Sequence, residues 1–287
     1  MTLDKNTNIL IVGLGVIGGG YATALTRAGY TVKCITKNQR DIDYALSRGM
    51  IKDGTTEVTE QMLGEADLVI CALYPQIFID WIEENQALLK SGAIITDVTG
   101  VKGAVVDRVQ SVLRSDLEFI AAHPMAGRES SGVEYSDPDV FRGANYIVTP
   151  TEKNSEGAIE LCKGLGEILG FGHISVLSPS EHDKTVAFLS QLTHVIAVAL
   201  MNCNTKEGLE KYTGDSFRDL TRIAKINDLM WSELFLLNRE ELLLQIDAFG
   251  AELNLFRELL ADGDTDGMRQ RMRNATERRA LFDKKKN

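Results

Sequence analysis

Ile9-Leu10-Ile11-Val12-Gly13-Leu14-Gly15-Val16-Ile17-Gly18-Gly19-Gly20 decides how this chain is read. Four apolar residues run into a G-x-G-x-x-G turn at Gly13, Gly15 and Gly18. An amphipathic segment follows over 16–28 and stops at Gly29. Strand, tight turn and helix are the parts of a dinucleotide-binding βα unit. The first glycine permits the turn, the second lets backbone approach a pyrophosphate, and the third lets helix and strand pack closely. The helix N-terminus offers unpaired N–H groups and a positive dipole end to phosphate. Gly13, Leu14, Gly15, Val16, Ile17 and Gly18 are therefore expected to form the phosphate cradle. The alternative is a glycine-rich turn in an ordinary βα unit; the strand before and the helix after favour the cradle.

Outward from this stretch, strand-like runs at 31–36, 67–72, 93–97, 117–121, 146–149 and 173–177 alternate with helical segments at 41–48, 75–89, 102–113 and 156–169. The alternation predicts an α/β, Rossmann-type, doubly wound and mostly parallel sheet over 1–177, with ligands at the carboxyl ends of its strands. At Ser178 the pattern changes. Ser178-Pro179-Ser180-Glu181 reads as a capping box with proline in the first turn. Helices are expected over 181–206, 217–226, 229–260 and 266–282, giving an all-α second domain over 178–287. Leu242, Leu243, Ile246, Phe249, Leu253, Phe256 and Leu260 make a 3–4 spaced stripe, more apolar surface than a small bundle hides. It predicts an intertwined homodimer.

The formal net charge of -10 argues against nucleic acid or an anionic membrane as partner. No apolar run approaches the roughly 20 residues of a membrane span, and 1–8 lacks a signal-peptide core. Four scattered cysteines without metal-ligand spacing suggest free thiols, a cytoplasmic protein and no metal site. A small-molecule substrate is expected. At the end of the second strand, where an NAD site places a carboxylate for the ribose hydroxyls, stand Thr36, Lys37 and Arg40. A hydroxyl with two cations suits a 2′-phosphate, so NADP is the expected cofactor, with NAD the alternative.

His123-Pro124-Met125-Ala126-Gly127-Arg128-Glu129-Ser130-Ser131-Gly132 is the second informative stretch. A histidine at a strand end, followed by a proline that favours extended backbone, can take a proton from an alcohol as hydride leaves. Together with Asp97-Val98-Thr99-Gly100-Val101-Lys102, Ser178–Asp183, Ser190–Val195 and Phe217–Trp231, this stretch resembles the prephenate/arogenate dehydrogenases of tyrosine biosynthesis. The resemblance runs through nearly the whole chain. It implies oxidative decarboxylation of a cyclohexadienyl alcohol, with hydride passing to NADP or NAD.

On that resemblance His123 is the catalytic base, Arg222 binds a substrate carboxylate, His194 is a further substrate-site histidine, and Glu129 and Trp231 line the pocket. Ion pairing of Arg222 with Asp219 or Asp228, and core roles for His194 and Trp231, are the alternatives. The family's serine near the catalytic histidine is Gly100 here. Either Thr99 takes over its hydroxyl role or a bridging water does, and the water asks for less backbone rearrangement. The rival functions are another dehydrogenase with a helical second domain, such as a pyrroline-carboxylate reductase or β-hydroxyacid dehydrogenase, and a non-catalytic dinucleotide sensor.

Overall fold

The computed structural model describes residues 3–127 and 130–283. Its first half runs β1 (Ile9–Val12), α1 (Val16–Arg27), β2 (Val32–Ile35), α2 (Gln39–Ser47), β3 (Asp53–Thr55), α3 (Glu60–Glu65), β4 (Leu68–Cys71), α4 (Pro75–Asn85), β5 (Ile94–Asp97), α5 (Gly103–Val112) and β6 (Glu118–Phe119). These six strands form one parallel sheet in the order β3-β2-β1-β4-β5-β6. Ile9 and Ile11 enter the apolar layer on one face with Tyr21 and Leu25 of α1. Leu10 and Val12 enter the other with Phe78 and Ile82 of α4. The pleat sends alternate residues to opposite faces, and cover on both faces explains why the strands read as unbroken apolar runs. Strand order reverses between β1 and β4, the point where such sheets bind ligands.

The later strands leave this sheet. β7 (Ala121–Met125), β8 (Asn145–Thr149) and β9 (His173–Val176) form a separate three-stranded sheet, β7 antiparallel to β8 and β8 parallel to β9. The expected strand at 117–121 is thus the seam between two sheets. Ile120 N–H still donates to the Ile95 carbonyl at 3.0 Å, but Ala122 N–H donates to the Asp97 carboxylate at 3.1 Å. The side chain takes the bond a backbone carbonyl would have held, and the first ladder ends there. β7 is an edge strand, so Pro124 removes no ladder donor. α6 (Glu156–Leu169) lies between β8 and β9 in sequence and is capped by Ser155.

Beyond β9 the described chain is helical: α7 (Pro179–Val186), α8 (Thr193–Asn202), α9 (Asp215–Thr221), α10 (Asp228–Leu237), α11 (Arg239–Ala261) and α12 (Thr265–Ala280). The capping box at Ser178 and Glu181 is present, with both reciprocal bonds. A π-helical segment, Ala187–Leu192, joins α7 to α8. The resulting run, Pro179–Asn202, has 24 residues, and its most apolar stretch has a mean hydropathy of 1.5, enough by length and composition to cross a membrane. This corrects the expectation that no such run exists: charge is confined to its first turns, at Glu181, Asp183 and Lys184, and beyond them serine, threonine, glutamine and histidine interrupt it without adding any. At its centre the buried Gln191 amide donates to the Leu234 carbonyl at 3.0 Å, the kind of partner a protein core supplies. Only 28% of its most apolar stretch is buried within the chain.

Two further departures have local causes. β3 and α3 are unanticipated, because a three-residue strand containing Gly54 carries no alternation to read. The helix expected over 229–260 is broken at Asn238, whose φ of -121° and ψ of 30° leave the helical region. By its contacts the chain forms two compact units that meet at Arg239/Glu240. The second unit holds most of α11 and all of α12. Within it Arg271 pairs with Glu252, and Asp264 caps α12 through the Gly267 N–H.

Candidate active site

The glycine stretch has the geometry its spacing predicts. Gly13 adopts φ +93°, and a Cβ there would sit 2.4 Å from the Ala72 carbonyl oxygen at the end of β4. A Cβ on Gly18 would lie 2.1 Å from the Gly13 carbonyl oxygen. Gly19 and Gly20 are pressed against Ser136 and Phe141 in the same way. Gly15, the N-cap of α1, differs: nothing lies within 4 Å of its missing Cβ. Open space at a helix N-terminus, at the β1/β4 reversal, fits a pyrophosphate, so Gly15, Val16, Ile17 and Gly18 would hold it through backbone N–H groups. Leu14 is a core residue and offers only its backbone. At the end of β2, Thr36 is half-buried, while Lys37 and Arg40 are exposed. Arg40 lies 3.6 Å from Glu134.

The turn after β5 holds a buried ion pair. Lys102 Nζ lies 2.7 Å from Asp97 Oδ2, both side chains fully buried. Burial pulls the Lys102 ammonium below its ordinary range, and Asp97 opposes the shift. The Thr99 hydroxyl is used here. It contacts the Asp97 carboxylate, the Val101 carbonyl at 2.9 Å and Lys102 Nζ at 3.2 Å. The structure therefore turns Thr99 toward the ion pair and gives it no bond to His123. Gly100 is the residue that faces the histidine. A Cβ on it would sit 3.8 Å from His123 Cε1 and 3.6 Å from Leu234.

His123, half-buried in β7, is bonded through its own Nδ1 to His182 Nε2 at 2.8 Å. His182 is fully buried, and its Nδ1 lies 2.8 Å from Asp183 Oδ1. Asp183 in turn accepts the backbone N–H groups of Lys102 at 2.8 Å and Gly103 at 2.7 Å, where α5 begins. Asn238 donates to the Asp183 carbonyl at 2.9 Å and to Gln191 Oε1 at 2.8 Å. Burial, then the neighbouring His182 and Lys102, hold His123 well below the ordinary histidine range. Burial also lowers His182, against a raising bond from Asp183. Both imidazoles are therefore neutral near pH 7.

His194 on α8 bonds to the Ser190 carbonyl through Nδ1 at 2.8 Å. It stacks on Trp231 of α10 with ring centroids 3.7 Å apart. The π segment just before α8 shifts the phase of His194 relative to α7, a local re-aiming such bulges often provide. Arg222 opens a 3-10 turn, Arg222–Ala224, that packs against α8 and exposes its side chain. The structure thus brings together His194, Trp231 and the Arg222 turn, and sets His123 and Leu234 beside Gly100. Glu129 lies outside the described residues. Among the described residues no cluster of His, Cys, Asp or Glu is arranged for a metal.

His182 and Asp183 carry no role in the sequence pattern: Ser178–Asp183 contributes a capping box and part of the family resemblance, and neither singles out its last two residues. Adjacent positions on a helix give no sign that a strand 59 residues earlier supplies their partner.

Comparison with known proteins agrees across the chain. Residues 21–174 match the family described as "Prephenate dehydrogenase, nucleotide-binding domain", and 178–274 match "Prephenate dehydrogenase, dimerization domain". The prephenate dehydrogenase of Bacillus subtilis is 30% identical over 93% of this chain and 74% of its own length. The cyclohexadienyl dehydrogenase of Zymomonas mobilis is 31% identical over 93% and 92%. Prephenate dehydrogenase from Aquifex aeolicus, solved in complex with hydroxyphenyl propionate and NAD+, superposes with a TM-score of 0.89 at 32% identity, covering 99% of this chain and all of that one.

Proposed function

The chain belongs to the prephenate dehydrogenase family, and from that premise we propose that it oxidises and decarboxylates prephenate or arogenate, with His123 as the base. The setting of His123 carries this reading. It is a neutral imidazole in an edge strand, facing the Gly100 turn at the carboxyl end of β5. When bound, the nicotinamide cofactor accepts a hydride from the substrate's carbinol carbon. His123 takes the hydroxyl proton as the carbonyl forms. The resulting ring ketone is a vinylogous β-keto acid: the electron pair joining the carboxylate to the ring moves into the ring, carbon dioxide leaves, and the ring aromatises. Arg222 binds a substrate carboxylate through its planar guanidinium. His194 and Trp231 form the adjoining wall, and Glu129 keeps its pocket role on the family resemblance.

Absorbance at the reduced-nicotinamide band tests the reading directly, with prephenate or arogenate added to enzyme and NADP or NAD. No signal with either substrate and either cofactor sinks it. His123→Asn should lower turnover by about 10²–10⁴, the worth of a general base, with cofactor binding intact.

Three finer assignments belong to the same proposal. Residues 1–177 serve the dinucleotide and 178–287 the substrate and dimer contact. NADP is preferred over NAD, since Lys37 and Arg40 are the side chains near the end of β2 and no carboxylate replaces Thr36; Thr36→Asp should erase or reverse that preference, and a wild-type preference for NAD refutes it. The active form is a homodimer. This reading is supported by the exposure of Leu243, Leu253, Phe256 and Leu260 along α11 and by the match to a dimerization domain.

A further inference from the structure

Asp183 and His182 lie outside the substrate-contacting set, yet they form one line of hydrogen bonds ending on His123. Asp183 Oδ1 and Oδ2 each accept a backbone N–H, from Lys102 and Gly103. Both oxygens are thereby acceptors, so the group facing His182 Nδ1 has no proton to give. His182 Nδ1 must donate to it, at 2.8 Å. A neutral imidazole with its proton on Nδ1 has only a lone pair on Nε2. That lone pair faces His123 Nδ1 at 2.8 Å, so His123 Nδ1 must carry the proton of that bond.

We propose that His182 and Asp183 are positioning residues that fix the tautomer of His123, holding its proton on Nδ1 and leaving the Nε2 lone pair as the base. The line also prepares for the charged state. When His123 takes a substrate proton on Nε2, its Nδ1–H bond to His182 becomes charge-assisted, and the Asp183 carboxylate lies at the far end to balance the cation. Nothing covalent changes within the line: one proton arrives at His123 Nε2, and the bonds behind it strengthen. His182 is fully buried with both ring nitrogens bonded, so it acts through His123 rather than on substrate. The same carboxylate anchors the start of α5, which ties the rotation of the base to the turn carrying Gly100.

The inference rests on His123 being the base, but its first test does not. Long-range proton–nitrogen correlation spectra of histidine-labelled protein report which ring nitrogen carries hydrogen, and the chain has only four histidines to assign. His123 and His182 should both appear as Nδ1–H tautomers; His123 with its proton on Nε2 overturns the proposal. This result stands whether or not prephenate or arogenate is turned over.

Kinetics supply the second test. His182→Asn can still donate toward Asp183 but falls short of His123, and should lower kcat about 10²–10⁴-fold with KM little changed, the range for a mis-set base. His182→Gln reaches further and can place its amide oxygen where Nε2 was, so it should recover at least tenfold over the asparagine variant. A kcat within threefold of wild type for His182→Asn, or a glutamine variant no better than the asparagine one, overturns the proposal. Should either variant fail to fold, the wild-type tautomer decides.

Discussion

Gly100 and Thr99 are neighbours with opposite duties. The Thr99 hydroxyl belongs to the Asp97–Lys102 pair, so Thr99→Val should cost stability, about 1–3 kcal/mol for a buried polar partner left unpaired, and change turnover little. Denaturant melts and steady-state rates check both halves, and a large rate loss in a stable variant would return Thr99 to the reacting atoms. Gly100 has ordinary contact distances of 3.6 and 3.8 Å around its missing Cβ. Gly100→Ser should fold and place a hydroxyl beside His123, with turnover equal to or above wild type; a severe loss would mean the site needs that space. Removing the Arg222 guanidinium, as in Arg222→Ala, should raise KM roughly 10-fold or more, the scale of one charge-assisted contact. An unchanged KM in the folded variant would make Arg222 structural.

At the scale of elements, α1 separates binding, at its N-terminus, from packing further along its length. Gly15→Ala meets open space, so it should melt like wild type yet bind dinucleotide more weakly, because the new methyl occupies the approach of the pyrophosphate. Gly20→Ala would press on the Phe141 ring at 2.9 Å and should destabilise by about 1–3 kcal/mol through overpacking. Thermal melts beside cofactor titrations distinguish the two, and a Gly15→Ala enzyme with wild-type cofactor affinity would remove the cradle. The strand–glycine–helix pattern made this element legible in the sequence, as the alternation of apolar runs with helical segments did for most of the parallel sheet. β3 was not legible, since three residues carry no period. The break at Asn238 was not, because the leucine pattern runs across it. The seam between the two sheets depends on Asp97 bonding Ala122, a contact across 25 residues. The role of His182 is set by a partner on β7, which local sequence does not reveal.

Across the whole molecule, the two neutral histidines of the site set a pH dependence. His123 and His182 have lowered values when folded, whereas an unfolded histidine titrates near about pH 6.5. Below that point the unfolded chain binds protons that the folded chain does not. Their contribution is therefore whole above about pH 6.5 and declines toward pH 5, by at most about 1.4 kcal/mol per pH unit for each. Tm should fall over that range, and a flat Tm would contradict neutral burial. Light scattering on the intact chain should give a dimer; a stable monomer at micromolar concentration would leave the α11 leucines unexplained. The hydrogen-bonded line from His123 through His182 to Asp183 ends on two backbone amides, which hold their hydrogens and pass none onward. It is a blind alley for protons. A proton taken from the substrate's oxygen has no inward exit, and that oxygen needs one again once carbon dioxide leaves and it becomes a phenolate. The geometry thus favours return of the borrowed hydrogen to the atom it came from. In a weakly buffered stopped-flow run with a pH indicator, the first turnover should form reduced nicotinamide without a matching burst of acid. A stoichiometric burst would show that the alley leaks.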